Sequence, residues 1–250
     1  MKILVGNIQR FCLSDGPGIR TTVFSMGCRY KCPWCCNPEN ITSIIKKGNI
    51  SGKTYGKYMT AEEILDIILK DLKYFKNGGG VTFSGGEFLI SIKNYIPVLK
   101  QLKSLNINIC IETSLNAPKE NLQIALDYVD LLIIDFKIIN DFESNKILGY
   151  SSKPFLENFS LVKEKNTRYI ARVPLAREII ELENLEEIKK LFLDYNPIKI
   201  EIFEIHNLAE SKYFDIGLTL NYFYSITNDE LCFVYNFFNS TNLKVEKLNF

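Results

Sequence analysis

The sequence predicts an α/β fold built on parallel strands. Three observations carry that reading. Short β-branched or apolar runs alternate with longer segments of helical spacing, the strand candidates number six, and a chain of 250 residues is long enough for one barrel-sized core. Alternation of this kind fits a partial barrel, and periodicity alone fits an open doubly wound sheet equally well. In both, a site gathers at the carboxyl ends of the strands.

The strand candidates are 21–26, 80–83, 107–112, 131–136, 168–173 and 198–204, each bounded by polar or turn residues. A first helix starts at Thr60 as N-cap with Glu63 placed for a capping box, runs through AEEILDIILKDLKYFK, and stops at Asn77-Gly78. Further helices are predicted at 91–105, 118–126, 154–164 and 185–193. Residues 40–58 form the one long irregular stretch, rich in Gly, Lys and Ser, and read as a surface loop or flap. The tail, 219–250, carries a helical pattern around 229–238 and a short strand-like end. No internal repeat divides the chain, so a single domain is expected, with a core over about 1–214 and an extension over 215–250.

Charge and apolar patterning narrow the function classes. Lys+Arg of 30 against Asp+Glu of 29 gives a net charge of +1, so no global field draws nucleic acid or anionic lipid. The amino-terminal apolar stretch is too short for a signal peptide, and no run reaches the length of a membrane span. A cytoplasmic protein with no nucleic-acid or membrane partner is expected.

Of seven cysteines, four crowd into the window from Cys28 to Cys36. A disulfide framework would spread them out, and a reducing compartment favours metal ligation. The isolated Cys12, Cys110 and Cys232 read as buried small hydrophobes. Cys28-x-x-x-Cys32-x-x-Cys35 follows the first strand candidate, where three thiolates suit three irons of a four-iron cube and leave one iron open. The competing reading is zinc, with Cys36 or His206 as fourth ligand. Adjacent Cys35 and Cys36 are awkward as joint ligands of one ion because their side chains diverge.

The segment DGPGIRTTVFSMGCRYKCPWCCNPEN, from Asp15 to Asn40, resembles the signature of glycyl-radical-enzyme activating enzymes of the radical S-adenosylmethionine (SAM) superfamily, the pyruvate formate-lyase activase type. GGGVTFSGGE resembles their SAM-binding segment, IDFK their Asp-Leu-Lys segment, and RVPL and EIHNLAESKY later landmarks in the same order. The resemblance implies a partial (β/α)6 barrel holding a [4Fe–4S] cluster on Cys28, Cys32 and Cys35, with SAM as second cofactor. It implies SAM contacts from Trp34, Cys35, Cys36, Gly85, Gly86, Glu87, Asp135, Phe136, Lys137 and His206. Glu87 would sit by the SAM ammonium, Lys137 by its carboxylate, His206 by the adenosine and Trp34 by the adenine. Glu112-Thr113 resembles a pair that binds a small cation in some activases. Asp15, Gly16 and Arg20 would lie where a partner's glycyl loop enters.

The implied partners are a glycyl-radical enzyme and an electron donor of flavodoxin or ferredoxin type. Two departures stand out: Phe88 replaces a usual Pro or Ala, and Cys36 a usual His or Ser. The 40–58 loop lacks the cysteine-rich, ferredoxin-like insert of larger relatives. A radical SAM enzyme acting directly on a peptide or small metabolite is the alternative, and a zinc-stabilised binding module without catalysis is a third.

Overall fold

The structure is a computed structural model that describes residues 2–219 and 226–248. Its first elements are an antiparallel pair, β1 (Ile3–Cys12) and β2 (Arg20–Ser25). A small hairpin follows, β3 (Lys46–Lys47) with β4 (Thr54–Tyr55), and then β5 (Lys57–Met59), which pairs with β1. From there strands and helices alternate. The order is α1 (Ala61–Leu69), β6 (Gly80–Gly85), α2 (Phe88–Ser104), β7 (Asn108–Thr113), α3 (Lys119–Leu126) and β8 (Leu131–Asp135). The chain continues through α4 (Asp141–Leu148), α5 (Lys153–Glu164), β9 (Tyr169–Leu175), α6 (Leu182–Asp194) and β10 (Ile200–Glu204). It closes with α7 (Glu210–Asp215), α8 (Asn228–Asn239) and β11 (Val245–Lys247).

Nine strands form the main sheet in the order β11-β10-β9-β8-β7-β6-β2-β1-β5. From β2 to β11 every neighbouring pair is parallel. The six expected strands are β2, β6, β7, β8, β9 and β10, and they stand side by side in chain order. No reversal of strand order occurs among them, and a doubly wound sheet requires one. Right-handed crossovers that always advance the same way put the helices on one face and turn the other inward. The architecture is therefore the open, barrel-like α/β arrangement.

Local chemistry explains the elements. Thr60 and Glu63 do form the capping box of α1: the Thr60 hydroxyl accepts from the Glu63 amide and the Glu63 carboxylate accepts from the Thr60 amide. α2 begins earlier than its periodicity predicts, because the Glu87 carboxylate accepts from the Leu89 amide as N-cap. β1 and α4 are elements that the periodicity does not show. β1 alternates buried and exposed residues only at its start, and pairing with β2 is what orders it. α4 buries only Ser144 and Leu148, too few for a helical stripe. β11 is the strand-like end expected of the tail, and it joins β10 in parallel, so the last described residues extend the sheet. Residues 220–225 and 249–250 of the tail lie outside the described residues.

The 40–58 stretch is more ordered than a simple loop. Asp215, at the end of α7, accepts from the amides of Ile50 and Ser51 and from the hydroxyls of Ser51 and Tyr55. These bonds hold its carboxyl below the usual carboxylate range, with the Ser51 hydroxyl the largest cause. A carboxylate held down in this way stabilises the docked hairpin above the unfolded carboxyl value of about 3.9, and that stability is lost as pH falls toward the folded value. We expect Asp215→Ala to keep the barrel folded but to expose residues 46–55 to limited proteolysis at neutral pH. Wild-type resistance in that variant would show that the hairpin is held by other contacts.

Candidate functional site

The parallel strands all point their carboxyl ends at one cavity of about 330 Å³. Its wall contains Cys28, Cys32, Trp34, Cys35 and Cys36 from the loop after β2, and Gly85 and Gly86 from the end of β6. It also contains Glu112 and Thr113 from β7, Asp135 and Lys137 at β8, Arg172 and Pro174 from β9, and Glu204 to His206 after β10. Residues separated by up to 178 positions thus meet because each follows a strand of one parallel sheet.

The cysteine loop is fixed by its backbone. The amides of Gly27 and Cys28 donate to the carbonyls of Asn40 and Ile41 at 2.8 and 2.9 Å, and Lys31 donates to Leu148 at 2.8 Å. Burial pushes the Cys28 thiol up to about 12, the Cys32 thiol up to about 11, and the Cys35 thiol well above its ordinary value. Thiolates at these positions therefore call for bound cationic charge. Among the described residues no three His, Cys, Asp or Glu side chains converge on a single-ion site. The three thiols share one cavity wall instead, an arrangement that fits a four-iron cube better than one tetrahedral zinc.

Lys137 pairs with Asp135 at 2.8 Å, its side chain only 12% exposed. Burial opposes its charge, but Asp135 and Cys32 outweigh burial and raise its pKa. A fixed ammonium beside the thiols suits an anionic ligand group. Asp135, which the resemblance makes a cofactor contact, has both an ion pair with Lys137 and a place on the cavity wall. His206 lines the cavity, with Nδ1 accepting from the Leu208 amide at 3.4 Å. Trp34 is buried in the core with one side on the cavity.

Gly85 and Gly86 serve a nearer neighbour than expected. Gly85 has φ +120°, and a Cβ there would lie 2.2 Å from the Ser25 carbonyl oxygen. A Cβ on Gly86 would meet the carbonyl oxygens of Gly27 and Asn40 at 2.4 and 2.5 Å. The two glycines thus let the strand end pack against the backbone flanking the cysteine loop.

Several expectations need correction. The Glu87 carboxylate is buried and engaged by the hydroxyls of Thr113 and Ser114, both at 2.6 Å, and by the amides of Ser114 and Leu89. It braces the ends of β6 and β7 rather than pointing into the cavity. Phe136 is fully buried on the helix side, packed against Phe155, Phe159 and Phe192, because strand alternation sends it opposite to Asp135 and Lys137. Glu112 and Thr113 do not form a joint cation site: Glu112 pairs with Arg172 and accepts from Ser84, whereas Thr113 donates to Glu87. Burial raises the Glu112 carboxyl, with the Arg172 charge opposing.

Arg20 is fully buried and cannot meet a partner loop. Its guanidinium donates to Thr82, to the carbonyls of Pro17, Gly78 and Val81, and to Asn108. Gly16, beside it, packs against Arg20 and Cys110. Asp15 does line the cavity and accepts from Thr22 at 2.5 Å. Of the isolated cysteines only Cys110 is buried; Cys12 is half-buried and Cys232 is exposed on α8.

Arg172 is the residue that sequence reasoning quoted without a role. It is buried in β9, bonded to Glu112, to Glu201 at 2.8 Å, and to the Ser14 carbonyl. A charged residue inside the apolar run YIARVPL, matched by Glu201 inside IEIFE on the next strand, was the available signal. Tyr30, inside the cysteine motif, also lines the cavity and was passed over.

The family model described as the Radical SAM superfamily matches residues 22–191. The chain is 32% identical over 217 residues to the pyruvate formate-lyase-activating enzyme of Clostridium pasteurianum, covering 86% of this chain and 87% of that one. It is 28% identical over 271 residues to the choline trimethylamine-lyase activating enzyme of Oleidesulfovibrio alaskensis, covering 86% and 87%. The crystal structure of QueE from Escherichia coli superposes with a TM-score of 0.61 at 13% identity, over 100% of this chain and 95% of that one.

Proposed function

Because the chain belongs to the radical SAM superfamily across residues 22–191, we propose that it is an activating enzyme that generates a glycyl radical on a separate partner protein. A [4Fe–4S] cluster with SAM supplies, when bound and reduced, the 5′-deoxyadenosyl radical that removes a hydrogen atom. Cys28, Cys32 and Cys35 are the residues that would hold the cluster. The observation that carries the reading is that all three line the cavity that Lys137, Gly85 and Gly86 also line. Relatives across 80–88% of their own length are named as activating enzymes of several different lyases, decarboxylases and dehydratases, which supports the activase role.

The chain's own residues bind, orient and exclude water. Lys137, its charge held on by Asp135, would receive the SAM carboxylate. Trp34 and His206 give a partly apolar wall for the adenosine. Glu87 fixes the strand ends on which the cavity mouth depends. Asp15, on the cavity wall near the Arg172–Glu112 pair, offers polar groups to an entering glycyl segment. Glycine suits such a site because no side chain shields its Cα hydrogens, and transfer needs near-contact geometry. The reducing electron would come from a donor of flavodoxin or ferredoxin type. No described helix is long and apolar enough to cross a membrane.

The test pairs the reduced, anaerobically reconstituted protein and SAM with a glycyl-radical enzyme encoded beside it. A doublet on the partner by electron paramagnetic resonance, lost when the partner's glycine becomes alanine, is the expected result. SAM cleavage with a modified peptide or small metabolite and no doublet would support direct action on that substrate instead.

A further inference from the structure

We infer that Lys212 is a positioning residue for the cysteine loop, tying the far side of that loop to the segment that carries His206. The inference rests on the reading that Cys28, Cys32 and Cys35 hold a cluster. Lys212 lies in α7, 176 residues beyond Cys36 in the chain. Its ammonium donates to the Cys36 carbonyl at 3.0 Å, to Asn37 Oδ1 at 3.0 Å and to Glu39 Oε1 at 2.8 Å. An ammonium has three N–H donors, so all of them are spent on residues just past the third cysteine ligand. The next residue, Tyr213, is buried.

The loop needs this help. Its two ends are tied together where the amides of Gly27 and Cys28 donate to the carbonyls of Asn40 and Ile41, but the turn at Pro38–Asn40 between them has no side-chain cap, and Lys212 is the side chain that meets residues 36–39. Among the described residues Glu39 has Lys212 as its one ion partner, and its other oxygen, Oε2, is buried without a hydrogen bond. Removing the lysine would leave the Glu39 carboxylate, mostly buried and with one oxygen already unbonded, without its ion partner. The same six-residue helix begins shortly after His206 on the cavity wall and ends at Asp215, which holds the 46–55 hairpin. One short element therefore registers the cysteine loop, the wall after β10 and the hairpin against each other. Lys212 is not among the residues that line the cavity, and it acts through the loop backbone, where donors near a thiolate sulfur tune a cluster.

The experiment compares wild type, Lys212→Met and the double variant Glu39→Gln/Lys212→Met, all reconstituted anaerobically. Three readouts are taken: iron and sulfide content, the rate of iron loss to a ferrous chelator, and the electron paramagnetic resonance spectrum of the reduced cluster. We expect Lys212→Met to lose iron at least about tenfold faster than wild type, the effect of roughly one lost charged contact, with shifted g values. The double variant, which no longer strands a charge, should recover part of that loss. Wild-type stripping rate and spectrum in Lys212→Met would overturn the inference. So would faster stripping matched by a lower thermal midpoint of the cluster-free protein with an unchanged spectrum, because that is general destabilisation. Wild type that binds no iron and sulfide would overturn the cluster reading itself and the inference with it.

Discussion

Cys32→Ala is expected to fold normally, to lose the full iron and sulfide content of reconstituted protein, and to cleave no SAM. Cys28→Ala and Cys35→Ala should behave alike, whereas Cys36→Ala should retain its cluster. The structure gives the reason for the contrast. Cys28, Cys32 and Cys35 are half-buried thiols that burial keeps protonated, so they are poised to release protons when iron binds. Cys36 is exposed, and its contribution to the loop is a backbone carbonyl held by Lys212, which alanine would preserve. A cube bound by three thiolates loses one of its three protein attachments in such a variant, which should cost the cluster rather than weaken it. Iron, sulfide and visible absorbance after anaerobic reconstitution decide the point. Full cluster in Cys32→Ala, or loss of cluster in a folded Cys36→Ala, would overturn the ligand assignment.

Lys137→Ala is expected to weaken SAM binding by ~1.5–3 kcal/mol, roughly ten- to hundredfold in affinity. Two effects add. The variant removes the ammonium that lines the cavity beside the thiols, and it leaves the Asp135 carboxylate without its 2.8 Å partner. An anionic carboxylate entering that space then meets a negative charge where wild type offers a positive one. Calorimetric titration of SAM into cluster-loaded protein measures the change. Unchanged affinity would remove Lys137 from the site. Asp135→Asn/Lys137→Met separates the two effects: if stranding Asp135 dominates, the double variant binds SAM better than Lys137→Ala.

The six βα units, the capping box at Thr60 and Glu63, and the helix at Asn228–Asn239 were all legible in the linear pattern. So was the crowding of Cys28, Cys32 and Cys35 into one loop, because their spacing is a local property of the sequence. Strand alternation makes burial legible but not which side is interior: Asp135, Phe136 and Lys137 read as one motif, yet Phe136 belongs to the aromatic layer under α5 and α6. Partner choice was also hidden. Glu87 looked free to meet a ligand until Thr113 and Ser114 arrived from the next strand, and Arg20 looked exposed until β6 and β7 closed around it.

The sequence by itself determined that this chain alternates strands with helices and gathers a three-thiol loop after the first strand of the series, since both follow from short-range periodicity and spacing. Only the tertiary structure decided which charges are spent on one another, as in Glu112–Arg172–Glu201, and which remain on the cavity wall, as at Lys137. The physical reason is that an ion pair or a brace across strands depends on register between segments far apart in the chain. Register is fixed by packing the whole sheet, a property that no local window contains.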